Sequence, residues 1–359
     1  MKKTLTITTI LALAACTVTA QEKKGSPLKI TGYAEIYYGF DLNRPANNNR
    51  PGFVYSHNRH NEVNLNLGFL KANYDDGKIR GNLAVMAGTY ANANLAAEQG
   101  VLKNVFEANA GIKLSKTANL WLDAGIFASH IGFESAISKD CWVLTRNIAS
   151  DNTPYYESGA KLTYITNDGK LTLSGLYLNG WQRINRQDGN SAPAGGVQVY
   201  YKATDKITLN YSNYLGTEGA DSVRVRRFYH NFYSIFQLSS KLGFTAGLDY
   251  GTQQKAKGSN DVNHVISPVA IARYQVADQW ALAGRFEYYE DRNGMIIASG
   301  TSNGFRTKGY SLNVDYAPVS NAVIRLEGKF YDSKDKIFVK QQGMTNTSPL
   351  VTASFAVSF

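Results

Sequence analysis

A transmembrane, antiparallel all-β barrel of about sixteen strands is predicted by three features of the chain. In the final stretch, Val351, Ala353, Phe355, Val357 and Phe359 fall on one face of an extended strand and Thr352, Ser354, Ala356 and Ser358 on the other, one face suited to lipid and the other to water. Segments of about ten alternating residues recur from Leu28 onward, and beyond the N-terminal region no stretch is long and apolar enough for a membrane-spanning helix. Short connections at Asp75, Lys116, Asn167, Thr204, Ser239, Ala277 and Ser320 alternate with long ones near Asn48, Ala96, Lys139, Asp188, Glu218, Lys257, Ser299 and Gln341. A transmembrane barrel has short periplasmic turns and long outer loops. A soluble sandwich has no need of that alternation, and a propeller would repeat a blade motif that is not found.

The elements follow in order. Ile30, Gly32, Ala34, Ile36 and Tyr38 share one face of the first strand, opposite Thr31, Tyr33 and Glu35. After a loop from Asp41 to Arg59, Val63, Leu65, Leu67 and Phe69 alternate with Glu62, Asn64, Asn66 and Gly68, which reads as a single lipid-facing row. Asp75-Asp76-Gly77 makes a hairpin turn because glycine accepts the positive φ required there, and Asn167-Asp168-Gly169 repeats that chemistry. Ile79, Leu83, Val85 and Ala87 then oppose Arg80 and Asn82. Further strands are expected at Phe106–Leu114 and Leu120–Ala128, from Tyr155, and at Leu171–Trp181, Val197–Lys202, Ile207–Tyr214, Val223–Leu238, Leu242–Tyr250, Val265–Tyr274, Trp280–Tyr289, Tyr310–Tyr316, Val323–Tyr331 and Val351–Phe359. The strands at Leu171 and Val265 have ambiguous phase and Pro268 sits inside the latter, so about twelve to fourteen strands is the alternative count.

At the N-terminus, Lys2 and Lys3 precede an apolar run from Leu5 to Ala15, and Val18-Thr19-Ala20 offers small residues for cleavage. Residues 1–20 are therefore expected to be a secretory signal and residues 21–359 a single barrel in a bacterial outer membrane, with lipidation at Cys16 as the competing reading. Without the signal only Cys141 remains, so no internal disulfide is available. The formal charge falls from +10 to +8 with the loss of Lys2 and Lys3, but the remaining cations are scattered rather than clustered among stacking aromatics, which argues against nucleic acid as a partner. Outer-membrane lipids and small hydrophilic solutes are the expected partners, together with the barrel-assembly machinery, which would read the terminal Phe359.

The pieces Gly132-Phe-Glu-Ser135, Thr145-Arg-Asn147 and Thr153-Pro-Tyr-Tyr-Glu-Ser-Gly159, with Gly32-Tyr-Ala-Glu-Ile-Tyr-Tyr38, resemble the second of two families of putative β-barrel porins common in Bacteroidota. The resemblance spans most of the chain beyond the signal. It implies an outer-membrane barrel and a diffusion pore, and brings no catalytic residues and no settled substrate; passage by diffusion calls for no cofactor.

The third long loop, residues 129–154, is unlike the others in composition, and in general porins the third loop folds into the lumen. By that analogy Glu134, Lys139, Asp140 and Arg146 would oppose one another across a constriction, unless the loop packs on the mouth or wall with its charges solvated. The acids and bases expected on the lumen face nearly cancel, and Arg224-Val-Arg226-Arg227 is the local excess, so at most a mild anion preference is expected, with Arg224 and Arg226 in the lumen. Alternatives are a plugged, structural or ligand-binding barrel and an outer-membrane lipase. For the lipase, Ser129-His130 and His57-Asn58-Arg59-His60 supply residue types only; His57 and His60 lack the further ligands a metal site needs. A homotrimer is open, since many general porins assemble in threes.

Overall fold

The computed structural model describes residues 26–359; the signal-sequence and Cys16 readings lie outside these residues. Sixteen antiparallel strands close into one barrel. In chain order they are β1 (Leu28–Asp41), β2 (Val63–Asp75), β3 (Ile79–Ala87), β4 (Val105–Lys113), β5 (Asn119–Ala128), β6 (Tyr156–Ile165), β7 (Leu171–Leu178) and β8 (Ala194–Thr204). They continue with β9 (Ile207–Glu218), β10 (Val225–Gln237), β11 (Leu242–Gln254), β12 (Val262–Ala277), β13 (Trp280–Asp291), β14 (Phe305–Val319), β15 (Ala322–Ser333) and β18 (Thr347–Ser358). The remaining pair, β16 (Phe338–Val339) and β17 (Met344–Thr345), forms a small hairpin in the last long loop. Every barrel strand pairs with its neighbours in sequence, and β18 pairs with both β15 and β1, so no edge is left for another chain to extend.

Closure puts Phe359 against β1. Its amide donates to the Gly32 carbonyl at 3.0 Å and its carbonyl accepts from Gly32 at 2.6 Å. A Cβ at Gly32 would lie 2.4 Å from the Phe359 ring, so the seam needs glycine there for room.

The expected strand faces hold for β1 and β3. Ile30, Ile36, Leu83 and Val85 are exposed on the outer wall, while Tyr33 and Glu35 are buried inside. The reading of β2 as one lipid-facing row is corrected. A β-bulge shifts the register between Glu35↔Leu67 and Ile36↔Leu65, so Asn66 is an extra residue on β2. One inserted residue reverses the alternation. Val63 therefore stays outside, whereas Leu67 is fully buried and Phe69 stacks on Tyr33 inside the barrel. Lys71 and Asn73 are carried to the lumen with them.

Pro268 is accommodated in β12 without a shift of register, which runs from Ile266↔Glu290 to Val269↔Glu287. Proline cannot donate to the ladder, and the neighbouring Ser267 hydroxyl donates instead to the Tyr288 carbonyl at 2.9 Å. Val265, Val269 and Ile271 face inward there, which explains the ambiguous phase: apolar residues occupy both sides of the strand because a loop covers the inner one.

Candidate functional site

The third long loop, L3, leaves β5 after Ala128 and returns at Tyr156. Gly125 and Gly159 sit opposite each other in the register where the loop departs, with φ of 123° and 156°. L3 runs through the lumen along β12–β15 and contains a single 3-10 turn, Ser138–Asp140, and a short helix, α2 (Ile148–Asp151). Apolar contacts hold it to the wall where Val143, Phe133 and Trp142 pack on Val269, Ile271 and Ala283.

Polar side chains of the wall reach the loop's peptide groups. Glu327 on β15 accepts from the Thr145 amide at 2.6 Å and from its hydroxyl at 2.9 Å. Glu287 on β13 accepts from the Ile148 amide at 2.5 Å, and Asn313 on β14 from the Leu144 amide at 3.2 Å. Arg285 donates to the Thr145 carbonyl at 2.6 Å, Lys329 to the Arg146 carbonyl at 2.8 Å, and Arg325 to the Ser138 and Cys141 carbonyls at 2.6 and 2.9 Å. These groups are also paired with each other: Arg325 with Asp315 at 2.7 Å, Arg285 with Glu327 at 3.3 Å and Lys329 with Glu287 at 3.2 Å. Burying so many charges is tolerable only because each has a counter-charge and hydrogen bonds to the loop.

On the β5–β6 side, His130 bridges Glu157 through Nδ1 at 2.9 Å and the Asn213 carbonyl through Nε2 at 2.7 Å. A carboxylate and a carbonyl both accept, so the two contacts favour the doubly protonated ring, in which both nitrogens donate. Burial pulls its pKa down, but the Glu157 carboxylate and the two hydrogen bonds outweigh it and the pKa is raised. Cys141 lies buried in L3, and burial pushes its thiol up to about 11.

The charges expected to face one another across a constriction are arranged differently. Arg146 is buried and donates to the Ser135, Leu144 and Ala136 carbonyls, stapling L3 to itself. Glu134 accepts from the Asn147 amide at 2.6 Å and side chain at 2.8 Å and pairs with Arg285 at 3.3 Å. Lys139 and Asp140 pair with each other at 3.3 Å and line a cavity beside Phe359, at the periplasmic seam of the barrel. Arg224 pairs with Asp221 at 2.7 Å in the loop before β10, outside the wall. Arg226 is exposed on the outward row of β10 with Phe228 and Phe232, and it is Arg227 that is buried inside, its guanidinium 5.0 Å from the Trp181 ring. The strand starts at Val225, so alternation selects Arg227 rather than its neighbour.

Across the lumen from L3, the wall is half covered on β2–β4, where Lys71, Asn73, Arg80, Asn82, Glu107 and Asn109 are half-buried, and more closely covered on β5–β9, where Thr163, Ser174, Asn210 and Ser212 are buried. Its charges are paired in place: Lys71 with Glu107 at 2.8 Å and Arg80 with Asp123 at 2.5 Å. Between these pairs runs an amide ladder, Asn73 to Asn82 at 2.7 Å, Asn82 to Asn109 at 3.0 Å, and Asn109 to the Ile126 carbonyl at 2.7 Å. Gln198, Asn210, Thr163 and Ser174 continue the uncharged polar surface. A gap of about 290 Å³ separates L3 from the wall higher up, lined by Met86, Phe106, Glu107, Ile137, Tyr155 and Tyr156 among others. Of these wall residues the sequence places Asn82 on the polar face of its strand, whereas Lys71 and Asn73 are missed because the β2 row reads as lipid-facing.

Other loops close over the outer half of the barrel. The first, L1 (residues 42–62), carries Phe53 into rings of Phe305, Tyr331 and Phe338 at centroid distances of 4.8, 5.7 and 6.2 Å. His57 of L1 meets Glu35 at 3.1 Å, and Ser56 donates to Asp151 of L3 at 2.9 Å. In L7 (residues 292–304), the amides of Met295, Ile296 and Ile297 donate to Asp291 at 2.8, 2.7 and 2.9 Å. Among the described residues, no group of three or more His, Cys, Asp or Glu is placed to hold a metal ion.

A family model described as "Putative beta-barrel porin-2, OmpL-like" matches residues 27–359. Among solved structures, the outer-membrane channel DcaP of Acinetobacter baumannii superposes with a TM-score of 0.61 at 12% identity, covering 94% of this chain and 98% of that one. The anion-selective porin from Comamonas acidovorans gives 0.60 at 10% identity, covering 93% and 100%. OmpT of Vibrio cholerae, folded in vitro and in its trimer form, gives 0.60 at 11%, covering 92% and 99%. No curated protein sequence matches.

Proposed function

This chain belongs to the OmpL-like β-barrel porin family, and from that membership we propose that it is an outer-membrane pore for small hydrophilic solutes, working by diffusion without turnover or cofactor. The observation that carries the reading is the half-covered, polar wall of β2–β4 facing L3. Solutes would pass between that wall and the loop, and their width would be set by how tightly L3 is held against β12–β15. In this reading L3 narrows the path by its volume, and Glu134 and Arg146 keep its shape rather than facing solute. Lys139 and Asp140 would stand at the periplasmic exit and Arg224 and Arg226 at the outer rim, as mild electrostatic features of the two mouths.

Because Lys71–Glu107 and Arg80–Asp123 neutralise one another on the proposed path, the field along it is weak. Lys161 is the exception, with its ammonium 4.7 Å above the Phe127 ring and no carboxylate within salt-bridge distance among the described residues. That leaves a small anion preference. The membrane lipids, the assembly machinery acting on Phe359, a cleaved signal over residues 1–20 and a homotrimer complete the proposal.

A second reading has its own support. The rings of Phe53, Phe305, Tyr331 and Phe338 pack the outer half of the lumen, as a plugged barrel that binds ligand at its loops would have it. Single-channel current from refolded protein in a planar bilayer separates the two. Discrete ohmic steps, with a reversal potential near zero and slightly anion-favouring under a salt gradient, are expected; a folded, heat-modifiable barrel that passes no current would replace the pore with the plug.

A further inference from the structure

In a transmembrane barrel the outward rows meet lipid and are apolar, with aromatic girdles where lipid gives way to water. The loop-side half of β9–β12 departs from that rule. Arg226, Phe228, His230 and Phe232 form the outward row of β10. His230 stands between Asn213 of β9 and Tyr250 of β11, and His264 of β12 lies one strand beyond. The rings touch in a row, with centroids 4.1 Å apart for Phe228 and His230, 6.3 Å for His230 and Tyr250, and 6.0 Å for Tyr250 and His264.

Both imidazoles are held in place by phenols. The Tyr211 hydroxyl meets His230 Nδ1 at 2.9 Å, and the Tyr250 hydroxyl meets His264 Nδ1 at 2.8 Å. Asn213 steadies Tyr211 by donating to its hydroxyl oxygen at 3.0 Å. A phenol that donates to Nδ1 leaves the ring's own proton on Nε2. Neither Nε2 has a hydrogen-bond partner among the described residues, and neither is enclosed: His264 is exposed and His230 partly so. The Arg226 side chain is exposed too and makes no ion pair among the described residues, whereas Arg292 and Arg306, at the same end of the wall, share Glu290. Toward the membrane centre the same strands present Phe232, Leu248 and Ile266, all exposed. Open donors above an apolar band match an anionic amphiphile, whose headgroup accepts from the donors while its chains cover the band.

We propose that the loop-side outer wall of β9–β12 is a binding site for an anionic outer-leaflet lipid, its phosphate on Arg226, His230 and His264 and its acyl chains along Phe232, Leu248 and Ile266. The site rests on the reading of the chain as an outer-membrane barrel, and it holds whether the lumen is open or plugged.

The test is native mass spectrometry of the refolded full barrel, released from neutral detergent micelles that contain equal amounts of dioleoyl phosphatidylglycerol and dioleoyl phosphatidylcholine. The two probes share their chains and differ in net charge. The wild-type barrel is expected to retain phosphatidylglycerol about fivefold more than phosphatidylcholine. The combined variant Arg226→Gln, His230→Gln, His264→Gln should lose most of that preference, and Lys308→Gln, Lys334→Gln, Lys336→Gln, which removes exposed cations from the loop ends of β14 and β15, should keep it. Inorganic phosphate in large excess should leave the lipid adduct in place. Equal retention of the two lipids by the wild-type barrel, an undiminished preference in the first variant, an equal loss in the second, or displacement by phosphate would each overturn the site. Heat-modifiable migration shows that each chain is a folded barrel, and a wild-type chain that never forms one would overturn the membrane-barrel reading and the site with it.

Discussion

Glu327 receives both the amide and the hydroxyl of Thr145 while facing Arg285, so its charge fixes the loop and balances a buried cation at once. Removing one partner of a buried pair typically costs about 3–5 kcal/mol. Glu327→Gln is expected to free L3 from β15, and Cys141 is the reporter: buried and with its thiol raised to about 11, it should resist maleimide at pH 7.5 in the wild-type chain and be labelled many times faster in the variant. Unchanged labelling would mean that the remaining contacts hold the loop without Glu327. His130 provides a second residue-level outcome. Its folded pKa is raised above an unfolded value of about 6.5, so its contribution is complete below pH 6.5 and is lost as pH rises through the folded value. The urea midpoint of the wild-type barrel should fall from pH 6 to pH 9 more than that of His130→Gln. At this scale the sequence was a weak guide. Ser129-His130 and Cys141 stood out by type, but their partners are Asn213, Glu157 and the carbonyls of Ser135 and Ile137, and none of those pairings leaves a trace in spacing.

Single elements were more legible, and where they were not, the reason is local. Alternation in β1 and β3 assigns the correct faces because nothing interrupts it. In β2 the extra residue at Asn66 reverses the phase, and a bulge has no composition that separates it from an ordinary strand residue. The course of L3 was beyond reach for another reason: Arg325 meets the Ser138 carbonyl across 187 positions of chain, and a hydrogen bond to a carbonyl says nothing about the residue that owns it. The glycines flanking L3 do carry a sequence signature. Gly125, at φ 123°, would place a Cβ 2.2 Å from the Ala108 carbonyl oxygen, so Gly125→Ala meets both a backbone conformation that side chains avoid and a collision with β4. A destabilisation of about 2–3 kcal/mol is expected, read as a lowered urea midpoint, with Gly175→Ala, where a Cβ meets nothing within 4 Å, as the neutral control.

For the whole molecule, strand number, connection pattern and closure follow from periodicity, because a barrel must repeat the same crossing in every strand. What fills the barrel does not follow, because loops obey no period. Replacing residues 131–153 with a short Gly-Ser linker removes L3 from the lumen and also removes the counter-groups of Arg285, Glu287, Arg325 and Lys329. The variant should conduct several times more current than the wild type and keep its weak ion selectivity, since Lys71–Glu107 and Arg80–Asp123 remain on the opposite wall. A strong selectivity appearing in the variant would mean that L3 itself had balanced the lumen charge. The grip on L3 also has a consequence for how such a chain can change over generations. Its anchors take hold of Thr145, Arg146, Ile148, Ser138 and Cys141 largely through peptide groups, which every amino acid but proline offers alike. Apart from the residues whose side chains seat or staple the loop, Glu134, Arg146, Phe133, Trp142 and Val143 among them, its letters are free to be rewritten while its path is inherited intact, and descendants of this barrel can acquire new tastes in solute without having to learn a new fold.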